Sequence, residues 1–340
     1  MMIFIKRERL YVLMLLFILF INLFGFFNSD KALQDKEGIN AKEVFSDVDF
    51  KEEKIKEFLG SGSIIAKFYR VLFFIGFFIF VGAVIANIIF ILRGERIRIA
   101  SFTNNILISW SILDIFRSAI SIVTLGYAVI FIQDILFRIF DLKIDMNLRS
   151  MLDTFSIDVI GIIVVSYFVV SKYKDKLKDL GLTFDNFLKN VASGIGSYIF
   201  ILPALTVVLF LSISFLNLLG YEPKPQAVFE IFMGEERSRV LFFFTIFISL
   251  LGPIAEEIFF RGFMYPAIKK RFGIIWGALF SASIFSLLHT NIVGFLPIMA
   301  LGLLLTYLYE STGSLTAPMI AHMLHNSIML TLMFFVKRLV

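Results

Sequence analysis

Two adjacent carboxylates, Glu256 and Glu257, stand with Arg261 in an otherwise apolar stretch running from Gly252 to Gly262. Ionisable groups at membrane depth are costly, rare and usually functional. On a helix, Glu257 and Arg261 lie four residues apart on one face and neutralise each other, which gives the pair a structural role. Glu256 is turned about 100° away. It lacks that partner and must point to another polar group or to a water-filled cavity. A carboxylate held out of bulk water suits the work of a general base.

The chain has three histidines, His289, His322 and His325, all in its last quarter. A basic turn, Lys269-Lys270-Arg271-Phe272-Gly273, separates the carboxylates from His289. Glu256 precedes Phe272 by sixteen residues and His289 follows Gly273 by sixteen, so each sits ~24 Å along its helix from the turn. An antiparallel hairpin therefore brings both to the same depth. His322 and Asn326 are four apart and share a face. His325 is turned about 60° from His322 and need not join them. Small residues, Gly262, Gly277, Ala278, Ser281, Ala282, Ser283 and Ser286, let the helices approach closely. By themselves the residues fit two readings: an active or ion-binding site, and a polar network that packs helices.

The elements that position these residues are apolar helices. Of 340 residues 59% are hydrophobic and 43 are Phe, and the mean hydropathy is +0.88, far above soluble usage. Several continuous runs approach the ~20 residues that cross a bilayer, without the alternation of a membrane barrel. The expected fold is all-α, a polytopic transmembrane bundle of about eight spans, with these polar residues gathered in the C-terminal half. The spans fall at about 10–27, an uncleaved signal anchor, then 69–92, 118–137, 155–170 and 191–218. The last helices begin at about 238, 274, 294 and 315. Residues 102–140 are ambiguous, because Asp114 and Arg117 interrupt an apolar tract; an interfacial helix ahead of the 118–137 span accounts for them. Segments 28–68 and 219–237 read as acidic loops, and Pro203 as a kink.

Lys and Arg in short loops mark the cytoplasmic side. The N-terminus, 93–98, 172–178 and 269–271 come out there, and the acidic loops opposite. The net charge of +5 belongs to these loops and gives no basic face for nucleic acid. With no cysteine, disulfides, thiolate metal sites and a cysteine nucleophile are excluded.

Three motifs, Glu256-Glu257-x-x-x-Arg261, Phe285-x-x-x-His289 and His322-x-x-x-Asn326, resemble those of the CAAX-protease and bacteriocin-processing (CPBP) family of intramembrane endopeptidases. Pro253-Ile254-Ala255, Phe260-Arg261-Gly262, Leu301-Gly302, the run from Tyr307 to Leu315 and Leu180-Gly181-Leu182 resemble that family as well. The resemblance covers about 180–336, a protease-like domain, and leaves 1–170 as an accessory membrane region with its loop at 28–68. It implies that Glu256 activates a water, that His289 orients it, and that His322 and Asn326 stabilise the oxyanion, with Glu257 and Arg261 holding the helices. The implied partners are the lipid bilayer and a peptide or membrane-protein substrate. The implied location is a bacterial plasma membrane, with the N-terminus cytoplasmic.

Glu256, His289 and His322 are also a conceivable zinc set. The chain has no His-Glu-x-x-His motif, and zinc would consume the evident base, so metal-free chemistry is expected. Two further readings remain: a catalytically idle membrane scaffold or immunity factor of the same family, and an ion-coupled transporter, against which the lack of an internal repeat weighs.

Overall fold

The computed structural model describes residues 8–32, 52–95, 108–221 and 227–339. Among these it is helical throughout, without strands. The elements are α1 (Arg9–Ala32), α2 (Glu52–Gly60), α3 (Ile64–Leu92), α4 (Ile112–Ile139), α5 (Met146–Ser166, continued by a π-helical turn, Tyr167–Lys172), α6 (Phe187–Leu218) and α7 (Ala227–Gly234). The C-terminal part has α8 (238–272), α9 (274–288), α10 (Phe295–Thr312) and α11 (Thr316–Leu339).

Seven helical stretches are long and apolar enough to cross a membrane, and the shorter apolar helix Arg9–Leu23 adds to them. The longest stretch, Ser238–Leu288, reverses at Gly273, whose φ of 81° and ψ of 174° break the helix. A positive φ of this kind suits glycine. The two limbs are antiparallel: the Phe260 and Phe285 rings meet with centroids 5.1 Å apart. Counted separately, the limbs bring the seven stretches to eight. The outer faces are apolar and exposed, as on α3, where Phe74, Phe77, Phe78 and Ile85 point outward. These faces suit lipid, while the polar groups are turned inward.

Four expectations change in detail. Residues 112–139 form one helix, not an interfacial helix followed by a span. Asp114 sits in its first turn, where its carboxylate accepts from the Ser111 backbone N–H and hydroxyl. It also binds Arg117 and Lys172, and Arg117 pairs with Glu8, so the charges start the helix and satisfy one another. The span placed at 155–170 begins at Met146, because Arg149 pairs with Asp134 and Asp153 and carries its charge within the helix. The loop at 219–237 contains α7, whose last carbonyls, on Phe232 and Met233, accept from Lys337. Of the loop at 28–68, residues 33–51 lie outside the described residues, while α1 reaches Ala32 and α3 already starts at Ile64.

The two ends of the bundle differ. One end gathers Lys172 on Asp114, Asp175 on Ser109, and Lys270 on the Ile108 carbonyl. The other gathers Arg237 on Asp145 and Glu235. Trp110 joins the first end to α8 by donating to the Phe263 carbonyl at 2.8 Å, and its ring stacks on Phe263. Around them pack Val165, Phe168, Val169, Leu180, Ile258 and Tyr309, all buried. The core under α8 thus draws on helices from both halves of the chain.

Candidate active site

The site is built on an irregular stretch of α8. A short α-helical segment, Gly252–Glu257, lies between two π-helical turns, Phe247–Leu251 and Ile258–Met264. Such turns recur at functional sites, and they leave carbonyls free for side chains. Here the Ile248 carbonyl accepts from the Asn326 amide nitrogen at 2.9 Å.

Glu257 and Arg261 are both fully buried and joined by a 2.7 Å contact. Arg261 also donates to the Gly302 carbonyl at 3.3 Å and lies 4.3 Å over the Phe285 ring. A Cβ at 302 would stand only 3.1 Å from Ala282 Cβ, a tight contact. Its absence lets α10 close on α9 and α8. Glu257 does more than neutralise Arg261: the same oxygen, Oε1, takes a 2.8 Å hydrogen bond from His322 Nδ1. A histidine whose Nδ1 proton is held by a carboxylate has its ring orientation and tautomer fixed. The remaining nitrogen, Nε2, faces Glu256 Oε2 at 3.8 Å. That Glu256 oxygen is buried and has no hydrogen-bond partner, while the Glu256 side chain as a whole stays one-third exposed. Glu257 Oε2 is likewise buried without a partner, but its side chain is fully buried, so Glu256 is the more accessible of the two carboxylates.

His289 follows the last turn of α9. Its Nδ1 donates to the Phe285 carbonyl at 2.8 Å, which leaves Nε2 as an acceptor. No direct hydrogen bond joins it to Glu256. Phe285 stands between the histidines, 4.7 Å from the His289 ring and 5.6 Å from the His322 ring. Since Phe285 faces Phe260, one turn further along both limbs sets His289 opposite Glu256. His325 is turned away and bonds the Tyr198 hydroxyl at 3.1 Å.

Depth follows from the helix lengths. His322 lies six residues into α11, ~9 Å along the axis from the turn at 313–315, and ~26 Å from the far end at Leu339. The same turn packs on Leu180–Gly181, where the Leu315 N–H donates to the Gly181 carbonyl. The cluster is therefore close to the turn at 313–315, while Lys270 stands fourteen residues, ~21 Å, further along α8 from Glu256.

Among the described residues no three His, Asp or Glu side chains converge closely enough to ligate one ion. Glu257 and the Phe285 carbonyl each hold a histidine Nδ1, which leaves both Nε2 atoms open. Sequence reasoning assigned no part to the Glu257–His322 bond, the Phe285 ring or the Ile248 carbonyl. Spacing within one helix reveals none of them, since each contact lies between helices.

Residues 238–328 match the family model described as type II CAAX prenyl endopeptidase Rce1-like. The chain is similar to the Bacillus subtilis (strain 168) protein named "Putative membrane peptidase YdiL", with 32% identity over 79 residues, 23% of this chain and 32% of that protein. It is also similar to the membrane-embedded CAAX protease MroQ of Staphylococcus aureus (strain USA300), with 36% identity over 90 residues, 24% of this chain and 36% of that protein. The matched stretch thus spans about a third of either relative. No solved structure matches. The matched residues hold Glu256, Glu257, Arg261, His289, His322 and Asn326 together, and in them the C-terminal part of this chain is similar to the CPBP family of membrane-embedded CAAX endopeptidases.

Proposed function

We propose that the protein is an intramembrane endopeptidase that hydrolyses peptide bonds of membrane-associated proteins or peptides. One observation carries this reading: the Glu257-held His322 turns Nε2 toward the otherwise unpartnered oxygen of Glu256. Glu256 takes a proton from a water, and the hydroxide attacks the peptide carbonyl. His289, with its Nδ1 committed to Phe285, accepts a hydrogen bond from that water at Nε2. The tetrahedral oxyanion accepts the Asn326 N–H that Ile248 does not use, with the His322 ring beside it. Collapse breaks the C–N bond, and the proton on Glu256 passes to the leaving amine.

The reaction is proposed as metal-free, because zinc would occupy the carboxylate that serves as the base. The basic end of the bundle supports a cytoplasmic N-terminus in a bacterial plasma membrane, with substrates reaching Glu256 from that side. The test uses purified protein in liposomes with a peptide library. Glu256→Gln removes the base and lowers cleavage by roughly 10²–10⁴-fold while thermal unfolding in detergent stays unchanged. Cleavage that survives in this variant overturns the mechanism.

A further inference from the structure

Asp158 lies in the middle of α5, in the half of the chain outside the matched residues 238–328. No part of the chemistry above uses it. It is half-buried and, among the described residues, has no hydrogen-bond or ion-pair partner. Most other acidic side chains in the membrane-spanning helices are paired: Asp114 with Lys172, Asp134 and Asp153 with Arg149, Glu257 with Arg261 and Glu310 with Lys269. An unpaired carboxylate at membrane depth is costly and calls for a ligand.

Its place is specific. A Cβ on Gly252 would stand 4.0 Å from Asp158 Oδ2, so α5 brings the carboxylate against the backbone of the motif helix. Glu256 lies within its electrostatic reach. Gly252 is four residues, ~6 Å, along α8 from Glu256, on the side away from the basic end. An extended chain rises about 3.3 Å per residue. A substrate strand whose scissile carbonyl meets Glu256 therefore presents, about two residues away, a backbone N–H at the level of Asp158. Such a strand has lost its helical hydrogen bonds, and an unmet N–H in hydrocarbon is expensive.

We propose that Asp158 is a substrate-positioning residue, whose carboxylate accepts the backbone N–H of an unwound substrate about two residues from the scissile bond. The inference rests on the endopeptidase reading. It gives the accessory half of the chain a direct part in binding substrate.

The experiment measures kcat and KM separately in liposomes for Asp158→Leu and Asp158→Asn, with amide peptides and with ester analogues that remove one N–H at a time on either side of the cleaved bond. Asp158→Leu is expected to raise KM roughly tenfold with kcat changed less. Asp158→Asn, which keeps an acceptor oxygen, is expected to stay within about threefold of wild type. At one position the ester is expected to weaken wild type but not Asp158→Leu. Thermal unfolding of Asp158→Leu is expected at or above the wild-type temperature, since an unpaired carboxylate has left the membrane core; a lowered temperature with kinetics that Asp158→Asn does not rescue points to packing and overturns the proposal. If Glu256→Gln abolishes cleavage but Asp158→Leu cleaves like wild type, or no ester position depends on residue 158, Asp158 has no such role. Cleavage that persists in Glu256→Gln overturns the endopeptidase mechanism, and this inference with it.

Discussion

At the scale of single residues, the site depends on how the charge of Glu257 is divided. One of its oxygens holds both Arg261 and His322. Breaking a buried ion pair costs more than replacing both partners, because the survivor is left uncompensated. Glu257→Met alone is therefore expected to destabilise by about 3–5 kcal/mol. The double variant Glu257→Met/Arg261→Met should recover most of that loss. Activity should not recover, because His322 Nδ1 has lost its acceptor and the ring is free to turn Nε2 away from Glu256. Thermal unfolding and cleavage, measured on the same preparations, separate the two roles. A double variant that regains both would confine Glu257 to packing. The pairing of Glu257 with Arg261 was legible from their spacing alone. The hydrogen bond to His322 was not, because the two residues are 65 positions apart and meet only when α11 packs on α8.

At the scale of elements, the helices are tied at both ends by polar contacts that spacing within one segment does not reveal. Asp145 caps α5, accepting from the Asn147 and Leu148 N–H groups. Its carboxylate also binds Arg237 at 2.6 Å, while Arg237 reaches Glu235 at 2.6 Å and so links α5 to the start of α8. Arg237 holds both carboxyls below their usual range, at about 2, with burial opposing. A folded-state value below the unfolded one contributes stability that is complete above the unfolded value and is lost as pH falls toward the folded one. Stability from these two groups should therefore decline from about pH 4.5 to about pH 2. In Arg237→Ala that decline should shrink and shift upward in pH, and α5 and α8 should separate more readily at neutral pH. Unfolding temperature measured against pH in detergent checks both outcomes. The acid cluster at 219–237 was visible as a loop composition, but the order within it was not: α7 forms because Lys337, a hundred residues later, supplies donors for its last carbonyls.

At the scale of the whole molecule, the two halves are not packed separately. Phe168 and Trp110 contact Phe263, and Asp158 stands against Gly252, so helices from before residue 170 form one wall of the motif helix. The asymmetry of the ends also gives a testable orientation. Because the natural chain has no cysteine, single cysteines report topology without background. Lys174→Cys is expected to react with an impermeant thiol reagent only after the membrane is opened, and Glu236→Cys from outside in intact cells. The reverse labelling would invert the proposed orientation and put the approach to Glu256 on the opposite face.

The sequence by itself determined that this is a membrane-spanning helical protein, where the middle of each span lies, and which side chains are costly enough to need a reason. Composition and periodicity report these things because each helix must satisfy its own backbone and turn its apolar side chains to lipid. It also determined that Glu257 and Arg261 share a face and that Glu256 does not share it with them. What only the tertiary structure decided is which groups meet: His322 with Glu257 and with the Phe285 ring, Asn326 with the Ile248 carbonyl, and Asp158 with Gly252. The rotation of each helix about its own axis is set by packing between helices, by close approaches such as that at Gly302 and by the π-helical turns of α8, and none of these is encoded in the spacing of residues along a single segment.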